Sequence, residues 1–129
     1  MERIFIADDH PDVLDLLVDG VKHAGYEVIS ASDGKQAWEK IKKEKPDVVL
    51  LDLMMPKMDG YAVLEKLRGE PPFKKWIPVI IISALQDLKD LQKGYSLQAD
   101  HYITKPWEMR DVLKAIKTMI KLIPQRKED

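Results

Sequence analysis

Two short runs in this chain are apolar at every position: VVLL inside Asp47–Leu51, and VIII at Val79–Ile82. A strand with one face in water alternates polar and apolar residues. A strand that does not alternate must be covered on both faces. Two such runs therefore point to a central sheet sandwiched between helices.

The rest of the chain supplies the other strands and the helices. RIFIA (Arg3–Ala7), YEVIS (Tyr26–Ser30) and HYI (His101–Ile103) read as three further strands. Apolar residues at helical spacing follow each strand in turn. The first set is Leu14, Leu17, Val18 and Val21, after a Pro11 suited to a first helical turn and before a Gly25 that stops the helix. The next sets are Ala37, Trp38 and Ile41, then Tyr61, Leu64 and Leu67, then Leu88, Leu91 and Tyr95. The clearest stripe is the last: Met109, Val112, Leu113, Ile116, Met119, Ile120 and Ile123, with Pro124 expected to end the helix. One domain over residues 1–123 and a frayed tail over 124–129 are expected. A strand–helix unit repeated five times implies an α/β fold with a parallel sheet.

In such sheets, binding sites lie at the carboxyl ends of the strands, near the switch in strand order. There the sequence places Asp8 and Asp9 after the first strand, Asp52 after the third and Ser83 after the fourth. Thr104, Lys105 and Pro106 follow the fifth. Clustered carboxylates repel one another unless a cation intervenes. An all-oxygen donor set of this size suits Mg²⁺, which keeps several waters and takes one or two carboxylates. A carboxylate beside a divalent ion and a lysine is equipped to attack phosphorus and form an aspartyl phosphate. Ser83 is placed to donate a hydrogen bond to a phosphoryl oxygen.

Composition removes several alternatives. The chain has 129 residues, 45% hydrophobic and 33% charged, with a formal net charge of −1. That size suits one soluble domain, and the charge gives no global field for nucleic acid. Cysteine is absent, which excludes disulfides and thiolate metal sites and fits a cytoplasmic protein. No apolar run reaches membrane-spanning length, and MERIFIADDHPD turns acidic too early for a signal peptide.

Together ADD after the first strand, PDVVLLDLMMPKMDGYAVLEKLR, PVIIISA and ADHYITKPW resemble the receiver domains of two-component response regulators, from about Arg3 to Ile123. The resemblance implies a flavodoxin-like doubly wound (βα)5 fold with five parallel strands in the order 2-1-3-4-5. It implies that Asp52 is the phosphoacceptor. Asp9, Asp52 and the Met54 carbonyl would be direct Mg²⁺ ligands, and Asp8 would act through a bound water. Ser83 is similar to the switch hydroxyl, Tyr102 to the aromatic that changes rotamer, and Lys105 to the phosphate-binding lysine. The Lys105–Pro106 bond falls where this family commonly has a cis peptide. The resemblance also puts Met54 and Leu85 at the two positions that in this family flank the attacking water during dephosphorylation, and both are apolar. The implied partners are a sensor histidine kinase or histidine phosphotransfer protein, and an output protein or domain reading the face of helix four, strand five and helix five. The implied chemistry is limited to the chain's own Mg²⁺-dependent phosphorylation and dephosphorylation. Direct nucleic-acid or membrane contact is not expected. The sequence is read as either a stand-alone receiver or a receiver from a longer response regulator. Two departures stand out: Gln98 replaces the usual glycine before the fifth strand, and His101 replaces the usual second acid.

Each residue also has a plainer reading. Asp8 and Asp9 could cap the first helix. Asp52 could open a turn, Ser83 could be a strand-end hydroxyl, Lys105 a solvated charge, and Tyr102 a half-buried sheet residue. Asp59–Gly60 reads as turn or cap. The three Trp and six Met read as packing, and Phe73 and Trp76 as pins for the loop before the fourth strand. Two rival classes remain. A phosphatase using an aspartyl phosphate usually shows a second acid in DxDxT, whereas Asp52 is followed by LMM. A pseudo-receiver would lack part of the carboxylate, hydroxyl and lysine set, which is complete here.

Overall fold

The computed structural model describes residues 1–69, 76–84 and 99–126. Its elements, in order, are β1 (Arg3–Ala7), α1 (Pro11–His23), β2 (Glu27–Ala31), α2 (Gly34–Glu44), β3 (Val48–Asp52), α3 (Gly60–Gly69), β4 (Val79–Ala84), β5 (His101–Lys105) and a C-terminal helix (Met109–Arg126). The five strands form one sheet in the order β2-β1-β3-β4-β5. All four pairings are parallel. The expected doubly wound fold is therefore what the chain adopts. The helix expected over Leu88, Leu91 and Tyr95 lies outside the described residues, as do Phe73, Leu85 and Gln98.

The fully apolar runs fill the sheet's centre because both of their faces are covered. On one face Phe5, Val49, Leu51, Val79 and Ile81 pack with Ala37, Trp38 and Ile41 of α2 and Val63, Leu64 and Leu67 of α3. On the other, Ile4, Ile6, Val48, Leu50, Ile80 and Ile82 pack with Leu17 and Val21 of α1 and with Val112, Ala115, Ile116 and Met119. Neighbouring residues of one strand thus enter opposite cores, as the period of two requires. Edge strand β2 is exposed or half-buried along most of its length.

Several boundaries differ from the sequence reading. β2 and β3 each begin and end one residue later, so Asp52 is the last residue of β3, paired in register with Ile82. Ser83 lies within β4, and Thr104 and Lys105 within β5. Parallel pairing carries each strand past the end of its apolar run, because the backbone bonds do not depend on side-chain polarity. Pro124 does not end the last helix, which runs through it to Arg126. A proline this near the terminus removes only the one bond its missing N–H would have given the Ile120 carbonyl.

At the amino end of the sheet, Arg68 and Asp100 are joined across sequence. Arg68 Nη2 lies 2.6 Å from Asp100 Oδ2, and its Nη1 donates to the Ile77 carbonyl at 2.7 Å. The same carboxylate oxygen accepts the Val79 N–H at 2.8 Å. This pair ties the end of α3 to the starts of β4 and β5. Its side chains are only 17% and 11% exposed, so removing either partner would strand a charge.

Candidate functional site

The carboxyl edge of the sheet gathers side chains from four strand ends, those of β1, β3, β4 and β5. Asp8, Asp9 and Asp52 each offer an oxygen, and the three oxygens lie within 4.8 Å of one another. Among the described residues this is the one such acidic group with metal-ligand spacing. Asp8 is 1% exposed and Asp52 4%, whereas Asp9 is exposed. The first two therefore sit beneath the third.

Local backbone geometry orients the buried pair. Asp8 Oδ1 accepts the His10 N–H at 2.8 Å, and Asp52 Oδ1 accepts the Met54 N–H at 3.2 Å. Each is a carboxylate bonded two residues ahead, which turns the chain sharply out of its strand. Helix capping does not account for the first pair. The N-cap of α1 is His10, with no side-chain cap bond. By contrast Asp59 does cap α3, accepting the Ala62 N–H at 2.9 Å.

Lys105 Nζ stands 3.5 Å from Asp52 Oδ2. Ser83, 1% exposed, lies one register step beyond Ile82, the partner of Asp52. Tyr102 is half-buried and packs against the α2–α3 core. The Lys105–Pro106 peptide is cis. Leu85 lies outside the described residues, and Met54 is 63% exposed at the site's rim.

The electrostatics follow from this crowding. Burial pushes the Asp52 carboxyl above its ordinary range, and the charge of Asp8 pushes it further; Lys105 and the Met54 N–H oppose the rise. Burial likewise raises Asp8, against the His10 N–H and Lys105. The cluster thus has more negative charge than one lysine offsets. A hard dication with oxygen ligands fits such a set, and a soft metal does not, since neither imidazole nor thiolate stands among the three donors.

Sequence reasoning did not single out Asp33, Gly34 or Lys57, which pack beside the site. Asp33 caps α2 by accepting the Gln36 N–H at 2.8 Å, and its other oxygen lies 3.7 Å from Lys57 Nζ. The signal was available: an Asp–Gly pair just before an apolar-periodic helix is an N-terminal mark.

Comparison with known proteins agrees with the fold. The family model described as the response regulator receiver domain matches residues 4–117. A probable transcriptional regulator, ycf27, of Porphyridium aerugineum is 38% identical over 95% of this chain and 49% of its own length. The alkaline phosphatase synthesis transcriptional regulatory protein PhoP of Bacillus subtilis is 37% identical over 93% and 49%. The chain thus spans about half the length of the curated relatives it matches. A CheY-like receiver domain protein from Methanospirillum hungatei superposes with a TM-score of 0.87 at 30% identity, over 97% of this chain and 98% of that one. The receiver domain of a signal transduction histidine kinase from Syntrophus aciditrophicus gives 0.85 at 30% identity, over 94% and 91%. The family model covers most of the chain and the sheet has the same fold as the solved receiver domains, so the chain belongs to the response regulator receiver domains of two-component signalling.

Proposed function

We propose that the chain is a phosphorylation-dependent switch whose acceptor is Asp52. The observation that carries this reading is the convergence of Asp8, Asp9 and Asp52 with Lys105 at one end of the sheet. The donor is a phosphohistidine on a sensor kinase or a histidine phosphotransfer protein. Asp52 attacks phosphorus in its ionised form. A P–O bond forms as the P–N bond breaks, and the leaving nitrogen keeps the electron pair and takes a proton from solvent.

The chain's own residues divide the work. Met54 N–H holds one Asp52 oxygen, leaving the other beside Lys105. The Lys105 ammonium offsets charge on the transferring phosphoryl oxygens. Ser83 donates to one of those oxygens once they arrive. Asp8, Asp9, Asp52 and the Met54 carbonyl would hold Mg²⁺, which when bound neutralises the acidic cluster and the incoming phosphate. The phosphoryl group then draws Ser83 and Lys105 inward and lets Tyr102 turn. This biases a surface that includes β5 and the C-terminal helix, where an output protein or domain reads the state.

The test is incubation with Mg²⁺ and acetyl phosphate. One added phosphoryl group, lost on Asp52→Asn, supports the switch. Multiple-turnover hydrolysis of added phosphate esters would replace it with an enzyme, and no modification would replace it with a pseudo-receiver.

A further inference from the structure

We propose that Asp33, Gly34 and Lys57 form a latch that holds the loop after Asp52 in the shape phosphoryl transfer requires. They are then positioning residues for the acceptor. The inference rests on the reading of Asp52 as that acceptor.

The loop over residues 53–59 bears directly on the carboxylate, since its Met54 N–H is bonded to Asp52 Oδ1 at 3.2 Å. It closes on itself where Gly60 N–H donates to the Leu53 carbonyl at 2.9 Å. At its tip the Met58 N–H donates to the Pro56 carbonyl at 2.8 Å, around a Lys57 with φ of 69°. A bond spanning two residues about a left-handed, non-glycine centre is the rare and strained form of tight turn. Such strain persists only where the surroundings hold it.

The surroundings here are the start of α2. Gly34 N–H reaches the same Pro56 carbonyl at 3.4 Å. A Cβ built on Gly34 would overlap the Met58 carbonyl oxygen, so the loop backbone lies flat against the helix start. Asp33 supplies the charge partner for Lys57 at 3.7 Å; its side chain is 9% exposed and that of Lys57 66%. Capping α2 requires Asp33 but explains neither the glycine nor the lysine. Gly60 closes the loop's other end, where a Cβ would crowd the Asp52 carbonyl oxygen and the Leu53 Cα. The acceptor loop is thus held at its base, where Leu53 N–H also donates to the Ile82 carbonyl of β4 at 3.4 Å, and at its tip by the start of α2 through Gly34.

Initial rates of Asp52 phosphorylation by acetyl phosphate at saturating Mg²⁺ test the latch, beside urea midpoints for the same proteins. Lys57→Met and Asp33→Asn are each expected to slow the rate by about fivefold, because small misplacement of a reacting group costs rate steeply. Combining them should add little, and Lys57→Arg should restore the rate. Gly34→Ala should slow it by more than about tenfold. The Lys57 variants should keep the wild-type urea midpoint, because the lysine end of the pair is exposed and screened by water while Asp33 keeps its cap bond from the Gln36 N–H. Rates within about twofold of wild type in Lys57→Met and Asp33→Asn would overturn the latch while leaving the acceptor in place. A wild type that takes no phosphoryl group on Asp52 would overturn both.

Discussion

Lys105 reaches Asp52 across an intervening strand. Asp52 pairs with Ile82 of β4, and Ile82 pairs with Ile103 of β5, so Lys105 sits two residues beyond the level of Asp52 and extends back to it, Nζ to Oδ2 at 3.5 Å. Its length and flexible stem suit that overhang.

Replacing this ammonium has a signed consequence. Lys105 lowers the Asp52 pKa against burial and the charge of Asp8. In Lys105→Met the Asp52 pKa should rise further, and the pH–rate profile for phosphorylation by acetyl phosphate should move to higher pH. The maximal rate should also fall by about 100-fold, as for loss of one charge-stabilising donor. A profile that stays in place would separate Lys105 from the acceptor.

Asp8 should cost stability at neutral pH. Its folded-state pKa is raised above that of an ordinary aspartate in an unfolded chain, chiefly by burial. The folded protein therefore binds more protons than the unfolded chain between those two values, and stability falls as pH rises through that window. Asp8→Asn, which still accepts the His10 N–H, should be more stable than wild type at pH 7 without Mg²⁺, by on the order of 1 kcal/mol. The difference should vanish below the unfolded pKa. Urea melts at several pH values read this directly.

Added Mg²⁺ should close that gap from the other side. A ligand at ten times its dissociation constant contributes about 1.4 kcal/mol to the form that binds it. Wild-type Tm should rise with Mg²⁺. The exposed Asp9 can be removed without opening the core, so Asp9→Ala should keep the wild-type fold while losing both the Tm response and Mg²⁺-dependent phosphorylation. Normal phosphorylation of Asp9→Ala would remove it from the ligand set.

Lifetime of the aspartyl phosphate is expected to be long. Met54 is exposed at the site and cannot hydrogen-bond a water into line, and Leu85 is equally apolar. Met54→Asn with Leu85→Glu should shorten the lifetime by about tenfold without slowing formation. Equal rates of phosphate loss from wild type and double variant would show that another feature sets the clock.

Switching should be visible at β5. With beryllofluoride and Mg²⁺, amide exchange protection across Tyr102 to Trp107 should change relative to the free protein. Unchanged protection there would exclude the proposed movement of Tyr102 and Lys105.

VVLL and VIII were enough to read a two-sided sheet, and the rule for strand ends then placed Asp8, Asp9, Asp52, Ser83 and Lys105 on one edge. Both inferences use only local patterning, because whether a strand is covered on one face or two is written in consecutive residues. Local patterning does not carry register, and register puts Asp52 inside β3 and brings Lys105 over it from two strands away. Nor does it carry close approach. Gly34 against the Met58 carbonyl and Arg68 against Asp100 join segments distant in sequence, and neither has a periodic mark. The unequal burial of three similar carboxylates was likewise decided by packing. Asp8 and Asp52 are buried while Asp9 is exposed, and burial raises the pKa of the buried pair and makes the cluster costly without a cation.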